Sequence, residues 1–167
     1  MLKTLLLTIL ISFSLSDKLA QYTKKTKHCE VGDKNIKMRL EIITRFSKSA
    51  REKAEKIFKF VRDNIKYTYY NNSKFGAVKT LKNKNGNCCD QTHLLIALLR
   101  TAGIPSRYKQ GQCYFVRRKK TIGHIWAEVY IDKKWYLLDT TSSKNVFGKA
   151  NNWSKAHNVK VYAELPF

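Results

Sequence analysis

Apolar residues recur at helical spacing in the first half of the chain. Residues 33–46 carry one apolar stripe, formed by Ile36, Leu40 and Ile43. Ser49 and Glu52 form a capping-box pattern, in which a hydroxyl and a carboxylate satisfy free backbone N–H groups at the start of a helix. A second stripe follows, formed by Ala54, Ile57, Phe58, Val61 and Ile65. The spacing predicts two amphipathic helices.

The middle of the chain contains a more apolar stretch. Residues 71–87 are polar and typical of turns, whereas residues 94–99 are almost continuously apolar. The apolar stretch ends at Gly103-Ile104-Pro105, a combination typical of a helix end because Pro cannot continue the helix. We therefore expect a third helix, apolar enough to lie at the centre of the fold.

After Pro105 the pattern changes to alternation of apolar and polar residues, which is typical of strands. Strands are predicted at residues 107–115, 124–131 and 135–140, with a basic turn at 117–120 between the first two. Helices followed by strands predict an α+β fold, in which an antiparallel sheet packs on the central helix.

The length fits one compact domain. The chain has 167 residues, with only 7 Gly and 2 Pro and no internal repeat. Residues 1–16 combine one Lys, an apolar stretch and small residues, as a secretory signal does, although a short buried helix is the alternative. We expect a signal peptide at 1–16 and a single domain at 17–167, secreted or at the cell surface, or otherwise cytoplasmic until release. No stable membrane span is expected, because no apolar run reaches about 18 residues.

The chain is strongly basic, with a net charge of +21 from 33 Lys and Arg against 12 Asp and Glu. The 25 Lys and 8 Arg are spread over every segment. This distribution fits a genomic bias in composition as well as attraction to a polyanionic surface such as a wall, membrane or nucleic acid. Because no recognition helix or RNA-binding aromatic motif accompanies the charge, we expect no nucleic-acid partner.

Four cysteines, namely Cys29, Cys88, Cys89 and Cys113, are too few for a disulfide scaffold, and two of them are adjacent. Asn87 is a suitable N-cap, so Cys88 is predicted in the first turn of the apolar helix, where free N–H groups and the helix dipole favour a thiolate. Cys88 is therefore the candidate nucleophile. A buried structural cysteine is the alternative.

A histidine and a carboxylate are predicted on the same face of the sheet. In the second strand, His124 shares a face with Trp126, whereas Ile125 lies on the opposite face. A two-residue turn at Asp132-Lys133 would place Asp139 opposite Trp126, one diagonal step from His124. A loop one residue longer or shorter would reverse the face. The order Cys, His, Asp is that of a papain-like nucleophile, base and orienting group.

Three segments carry a resemblance to a known family: GNCCDQTHLLIALLRTAGIPSRY, GHIWAEVY and WYLLDTT. They resemble the three blocks of the transglutaminase-like superfamily, in which the matching positions are Cys88, His124 and Asp139. Within it, the string NIKYTYYNNSKFGAVKTLK and the terminal NNW and LPF make the chain most similar to the pseudomurein endoisopeptidases of methanogenic archaea and their viruses. The resemblance covers residues 19–167.

The resemblance implies a transglutaminase-like, papain-like fold and hydrolysis of an isopeptide bond in pseudomurein wall peptides through a thioester. Backbone N–H groups at the helix start, that of Cys88 included, could bind the oxyanion. Tyr69 or Tyr70 is a candidate second donor. Trp126 is expected to pack as a lid over the site or to contact substrate, and Gln91 to be an exposed polar group or a substrate contact. The expected partner is a wall peptide or protein substrate. The chain is expected to be a monomer and to need no cofactor or metal.

Several alternatives remain open. Acyl transfer to an amine on surface proteins uses the same three residues, and an inactive surface or adhesin domain or a basic binding module would need none of them. Cys89, His93 and Cys113 could bind zinc, although their spacing does not support it. Asn152 and Trp153 are interpreted as structural, and residues 117–120 as a solvated turn or a wall-binding patch.

Overall fold

A computed structural model describes residues 16–167. The helices are α1 (Lys34–Thr44), α2 (Ala50–Asn64), α3 (Gly76–Asn83) and α4 (Cys88–Thr101), preceded by a 3₁₀ turn at Gln21–Thr23. The strands are β1 (Lys66–Tyr67), β2 (Asn85–Gly86), β3 (Ser106–Phe115), β4 (Lys120–Ile131), β5 (Lys134–Leu138) and β6 (Trp153–Tyr162). The predicted signal peptide at 1–16 lies outside the described residues except for Ser16.

The caps of the first two helices explain where they begin. The Asp33 carboxylate accepts a hydrogen bond from the Asn35 backbone N–H, 2.8 Å away. Ser49 Oγ accepts from the Glu52 N–H at 3.1 Å, as the capping box predicts. The return bond differs, because Glu52 Oε2 accepts from the N–H of Lys48 at 2.7 Å rather than from that of Ser49.

Helix α3 lies in the segment that the sequence predicts as turns only. Its start has no local side-chain cap. Instead, two carboxylates from distant parts of the chain accept its free N–H groups: Asp90 Oδ1 binds the Gly76 N–H at 2.9 Å, and Glu30 Oε2 binds the Ala77 N–H at 2.8 Å. Gly76 has a φ of +70°, which favours glycine. The helix therefore depends on tertiary contacts that local sequence does not encode.

The main sheet is antiparallel, with strand order β5-β4-β3-β6. Within this sheet, β6 is the strand that the sequence does not predict, and most of its residues are exposed. It pairs along β3 with two register irregularities. A separate pair joins β1 to β2 in parallel.

The core surrounds α4, as predicted. Every residue of this helix from Cys89 to Arg100 is buried. One face of the sheet packs on it through residues such as Ile125, Ala127 and Val129. The opposite face carries a smaller buried cluster built from Cys113, Trp126 and Trp153. The α+β architecture with a central cysteine-bearing helix is therefore confirmed.

No helix within residues 16–167 is both long and apolar enough to span a membrane.

Candidate active site

Cys88 is the first residue of α4, and the side chain of Asn87 determines where the helix begins. Asn87 Oδ1 accepts from the Asp90 N–H at 3.0 Å. Its amide group donates to the carbonyls of Tyr70 and Asn72 at 2.9 and 2.7 Å. The Gln91 N–H is bonded to the Asn87 carbonyl, so the N–H groups of Cys88 and Cys89 are the ones left without intrahelical acceptors. The thiol of Cys88 is thus held at the positive end of the central helix.

The β1–β2 pair brings a tyrosine next to this helix start. Tyr67 is in register with Gly86, two residues before Cys88, and the Thr68 N–H donates to the Gly86 carbonyl at 3.1 Å. Burial raises the pKa of Tyr67 to about 12, and the nearby Cys88 acts in the same direction. Its phenol therefore stays protonated at neutral pH.

His124 and Asp139 meet as the two-residue turn predicts. Asp132 and Lys133 have φ values of 51° and 61°, and Ile131 pairs with Lys134. Continued by one step, this register places Asp139 opposite Trp126. His124 Nε2 and Asp139 Oδ2 are 2.9 Å apart, and both side chains are buried. The ring nitrogen Nδ1 is therefore the one left for Cys88.

Three further donors orient the Asp139 carboxylate. Trp153 Nε1 donates to Oδ2 at 2.6 Å. The N–H and hydroxyl of Thr141 donate to Oδ1 at 2.9 and 2.7 Å. Burial alone would raise the pKa of Asp139, but the charge of His124 and these hydrogen bonds lower it. Asp139 is therefore a fixed anion.

The side chains of Cys88 and His124 interact, and each favours the charged form of the other. A hydrogen bond from Cys89 and the interaction with His124 outweigh burial and lower the pKa of Cys88 to about 5. Burial opposes the charged form of His124, but Asp139 and Cys88 raise its pKa to about 10. The pair is therefore a thiolate and an imidazolium over the pH range between these values.

Cys89 is buried in the core, and its side chain also interacts with the thiol of Cys88. Its thiol donates to Cys88, which raises the pKa of Cys89 well above its ordinary value. The second cysteine of the pair thus stabilises the thiolate of the first.

A cleft of about 590 Å³ opens over Cys88 and His124. Its lining includes the rings of Tyr67, Tyr69, Tyr70, Phe115 and Phe167 and the guanidinium groups of Arg117 and Arg118. Within residues 16–167, no Asp or Glu side chain lines it. A second cavity of about 310 Å³ shares Tyr67, Thr141 and Ser142 with the cleft and therefore adjoins it.

The structure places two of the predicted substrate contacts outside the cleft lining. Gln91 is fully buried and bonds to the Ile65 and Gly86 carbonyls and the Thr140 hydroxyl. Trp126 is 3% exposed, does not line the cleft, and stacks on the ring of His124 at a centroid distance of 6.2 Å. It therefore supports the imidazole from behind instead of contacting substrate.

The two predicted tyrosines do line the cleft. Tyr69 is 72% exposed. Tyr70 donates its hydroxyl to the buried Asp90 carboxylate and accepts from the Asn87 N–H at 3.1 Å. Because the Tyr70 proton is already engaged, this side chain is a poor candidate for the second oxyanion donor.

The zinc alternative finds no support in the geometry. His93 is buried, and its two ring nitrogens bond to the hydroxyls of Ser73 and Tyr108, each at 2.8 Å. Cys89 belongs to the main core and Cys113 to the small cluster on the other face of the sheet. Among the described residues, no three His, Cys, Asp or Glu side chains are grouped to hold a metal.

Two residues of the site, Trp153 and Tyr67, are not predicted from the sequence. Trp153, interpreted as merely structural, donates to Asp139. Its position depends on the pairing of Trp153 with Phe115, which no local signal predicted. Tyr67 precedes Tyr69 and Tyr70, the two tyrosines that the sequence indicates as candidate donors. The parallel β1–β2 pairing, which places Tyr67 beside the start of α4, distinguishes Tyr67 from Tyr69 and Tyr70.

Residues 37–140 match the transglutaminase-like superfamily, and the chain belongs to that superfamily. The matched segment includes Cys88, His124 and Asp139, whereas Trp153 lies beyond it. No curated protein shows significant sequence similarity to the chain.

Solved structures with low sequence identity share the fold. A candidate cysteine protease from Cytophaga hutchinsonii superposes with a TM-score of 0.66 and 24% identity, over 90% of this chain and 57% of that one. A candidate protease from Parabacteroides distasonis has a TM-score of 0.55 and 17% identity, over 73% of this chain and 25% of that one. LapG of Legionella pneumophila has a TM-score of 0.53 and 16% identity, over 77% and 74% respectively. The chain thus spans little more than half the length of the Cytophaga protein, and these similarities establish the fold.

Proposed function

We propose that the protein is a cysteine hydrolase that cleaves an isopeptide bond in pseudomurein wall peptides. The observation that carries the proposal is the continuous set of contacts from the Cys88 thiol through the His124 ring to the Asp139 carboxylate, at the base of an open cleft. An inactive adhesin domain would have no need for a stabilised thiolate and a carboxylate held by three further donors. Action on a wall polymer implies a site of action outside the membrane.

The geometry supports a two-step reaction. The Cys88 thiolate attacks the carbonyl carbon of the isopeptide bond and forms a tetrahedral intermediate. As the carbon–nitrogen bond breaks, His124 gives its proton to the leaving amine and a thioester remains on Cys88. His124 then takes a proton from water, which attacks the thioester and releases the acid and the thiolate.

The tetrahedral intermediate requires donors for its oxyanion. The Cys88 N–H lacks an intrahelical acceptor, and Tyr67 holds a protonated phenol in the same cleft. Tyr67 replaces Tyr69 and Tyr70 as the second donor in this proposal. Its hydroxyl makes no hydrogen bond within residues 16–167, so it is available to the intermediate. A donor of this type commonly contributes a factor of about 10² to 10³ in kcat.

The choice of pseudomurein rests on the sequence resemblance to endoisopeptidases of methanogens and their viruses. Two properties of the chain are compatible with it. The lining of the cleft is rich in aromatic and amide groups suited to a peptide, and the net charge of +21 favours attachment to a polyanionic wall.

The proposal is tested on purified pseudomurein, with release of free amines as the readout. The wild-type protein is expected to release amines, and Cys88→Ala is expected to release none while remaining folded. Cys29→Ala is the matched control, because Cys29 is a buried thiol that does not line the cleft. Equal release by Cys88→Ala would overturn the assignment of the nucleophile.

The same assay separates hydrolysis from acyl transfer. In the presence of a small primary amine, a hydrolase gives the free acid, and an acyl transferase gives the amide of that amine, which mass spectrometry distinguishes. Predominant amide would favour the transferase. Release of amines from isopeptide-linked proteins but not from pseudomurein would support the assignment of the nucleophile and contradict the assignment of the substrate.

A further inference from the structure

Arg117 and Arg118 are the arginines that the fold does not use. Three of the eight arginines pair with carboxylates and another donates to backbone carbonyls, namely Arg51, Arg62, Arg107 and Arg100. Two others lie over phenylalanine rings, namely Arg39 and Arg45. Within residues 16–167, neither Arg117 nor Arg118 contacts a carboxylate, a carbonyl or a ring. Two guanidinium groups are therefore left without a partner.

These two side chains lie on the turn between β3 and β4, which is anchored beside the candidate active site. The Val116 N–H donates to the Asn152 carbonyl at 3.3 Å, and Lys119 closes the turn with a φ of 49°. Phe115 precedes Val116, and the centroid of its ring lies 5.2 Å from that of the His124 ring. The arginines are thus separated only by Val116 from a residue whose ring contacts that of the reacting histidine.

Both arginines are exposed and both line the cleft. Arg118 lies near enough to Tyr67 for its charge to act on the Tyr67 phenol. Two buried acidic residues near the cleft, Asp139 and Asp90, do not neutralise the arginines. Asp139 is buried against His124, and the carboxylate of Asp90 is taken up by Tyr70 and the backbone at the start of α3.

A cationic, unpaired lining next to a nucleophile selects for negative charge in the ligand. A guanidinium group binds a carboxylate through two parallel hydrogen bonds, which fixes the position as well as the charge of the bound group. An isopeptide bond joins a side chain to another group, so the main-chain carboxylate of the same residue can remain free close to the scissile carbonyl.

We propose that Arg117 and Arg118 bind a substrate carboxylate, so that the cleft takes acidic peptides carrying a free carboxylate near the bond that Cys88 attacks. This specificity rests on the proposed function, because it assigns the ligand of the same cleft. It goes beyond the reaction itself, since the chemistry of Cys88 would be the same with a neutral substrate.

The test uses two alkylating probes of the same shape: iodoacetyl-glutamate and its neutral diamide. In each, the Cys88 thiolate forms a carbon–sulfur bond and displaces iodide, so no knowledge of the natural substrate is needed. The ratio of the two second-order rate constants, measured by mass spectrometry at Cys88, reports the preference for carboxylate. We expect the wild-type protein to favour the acid by about tenfold.

The variants isolate the two arginines. Arg117→Gln/Arg118→Gln is expected to reduce the preference to within about threefold, because the two charges at the cleft are lost. Lys119→Asn/Lys120→Gln is the matched control: it removes the same charge from the same hairpin, but neither lysine lines the cleft. It is expected to keep the wild-type ratio. Circular dichroism checks that both double variants are folded.

Each outcome has one meaning. An equal loss of preference in both double variants would show a general field effect and overturn the proposal, as would an unchanged ratio in Arg117→Gln/Arg118→Gln. If Cys88 reacts with neither probe at neutral pH, the thiol is not activated and the proposed function itself fails. Rapid reaction with both probes at the same rate contradicts the carboxylate site and leaves the proposed function standing.

Discussion

Trp153 donates its indole N–H to Oδ2 of Asp139 at 2.6 Å, the same oxygen that His124 contacts at 2.9 Å. A residue on the edge strand β6 thereby fixes the carboxylate that orients the histidine. The carboxylate cannot rotate without losing both bonds, so the position of the imidazole depends on a strand that follows the family's matched segment. Trp153 is a positioning residue in this account.

Replacement of Trp153 by Phe tests this role. Trp153→Phe keeps most of the apolar ring and removes the donor, so we expect kcat to fall roughly tenfold while KM changes little, because Trp153 does not line the cleft. Stability should fall by about 1.5–3 kcal/mol, the usual cost of losing a hydrogen bond to a charged group. Steady-state kinetics and thermal unfolding check both values.

Trp135→Phe is the control, because Trp135 packs against Arg107 elsewhere on the sheet. A lower Tm with an unchanged kcat in Trp153→Phe would show that Trp153 has a structural role only.

Tyr67→Phe separates oxyanion stabilisation from thiol activation. Alkylation by iodoacetamide forms no oxyanion, whereas acylation by an activated ester such as p-nitrophenyl acetate does. We therefore expect Tyr67→Phe to slow acylation of Cys88 by about 10² or more and to leave its alkylation rate within about twofold of wild type. Stopped-flow release of nitrophenolate and mass spectrometry measure the two rates.

Tyr69→Phe serves as the reference, since Tyr69 lines the same cleft and its hydroxyl contacts only Asn71 within the described residues. Equal acylation rates in the two tyrosine variants would remove Tyr67 from the mechanism.

Cys89 is expected to lower the pKa of the nucleophile, Cys88. Its thiol is the largest single influence that lowers the pKa of Cys88. Cys89→Ala removes this donor and should move the midpoint of Cys88 alkylation upward from about pH 5, whereas Cys89→Ser retains an O–H donor and should keep it lower than in the alanine variant. Alkylation rates across a pH series measure the shift. Identical midpoints in wild type and Cys89→Ala would show that the hydrogen bond has no influence.

The charged pair also predicts how stability depends on pH. The pKa of Cys88 falls from 9.0 to about 5 on folding, so its contribution is present above pH 9 and is lost as pH falls through 5. The pKa of His124 rises from 6.5 to about 10, so its contribution is present below pH 6.5 and is lost as pH rises through 10. Between 6.5 and 9 the two slopes oppose each other.

A plateau of stability is therefore expected between pH 6.5 and 9, with a decline on either side. Below the plateau the unfolded chain binds the extra proton at Cys88, which lowers stability as pH falls toward 5. Cys88→Ser should remove that part of the decline. Urea unfolding across the pH range gives the free energies. A decline of equal slope in both proteins between pH 6.5 and 5 would argue against a native thiolate.

The sequence predicts the parts of this fold that local signals determine. The start of α4 follows from Asn87, its end from Gly103 and Pro105, and the contact of His124 with Asp139 from the two-residue turn at Asp132. Each of these signals lies within a few residues of the element that it controls. The helix position of Cys88 and the proximity of His124 to Asp139 could therefore be predicted from the sequence.

The remaining parts depend on distant contacts. Helix α3 begins where carboxylates from Glu30 and Asp90 accept its N–H groups, and neither lies within the helix. Most residues of strand β6 are exposed, and the strand is stabilised by pairing with β3. The polar side chain of Gln91 suggests a substrate contact in the sequence, but its amide group donates to buried carbonyls. Periodicity and capping do not report contacts of this kind.

The most direct test of the account is the pH dependence of iodoacetamide alkylation at Cys88 in the folded wild-type protein. A thiolate stabilised by Cys89 and His124 predicts a rate that rises with a midpoint near pH 5 and is already high at neutral pH. A midpoint near the ordinary thiol value of 9.0, with little reaction at neutral pH, would contradict the account.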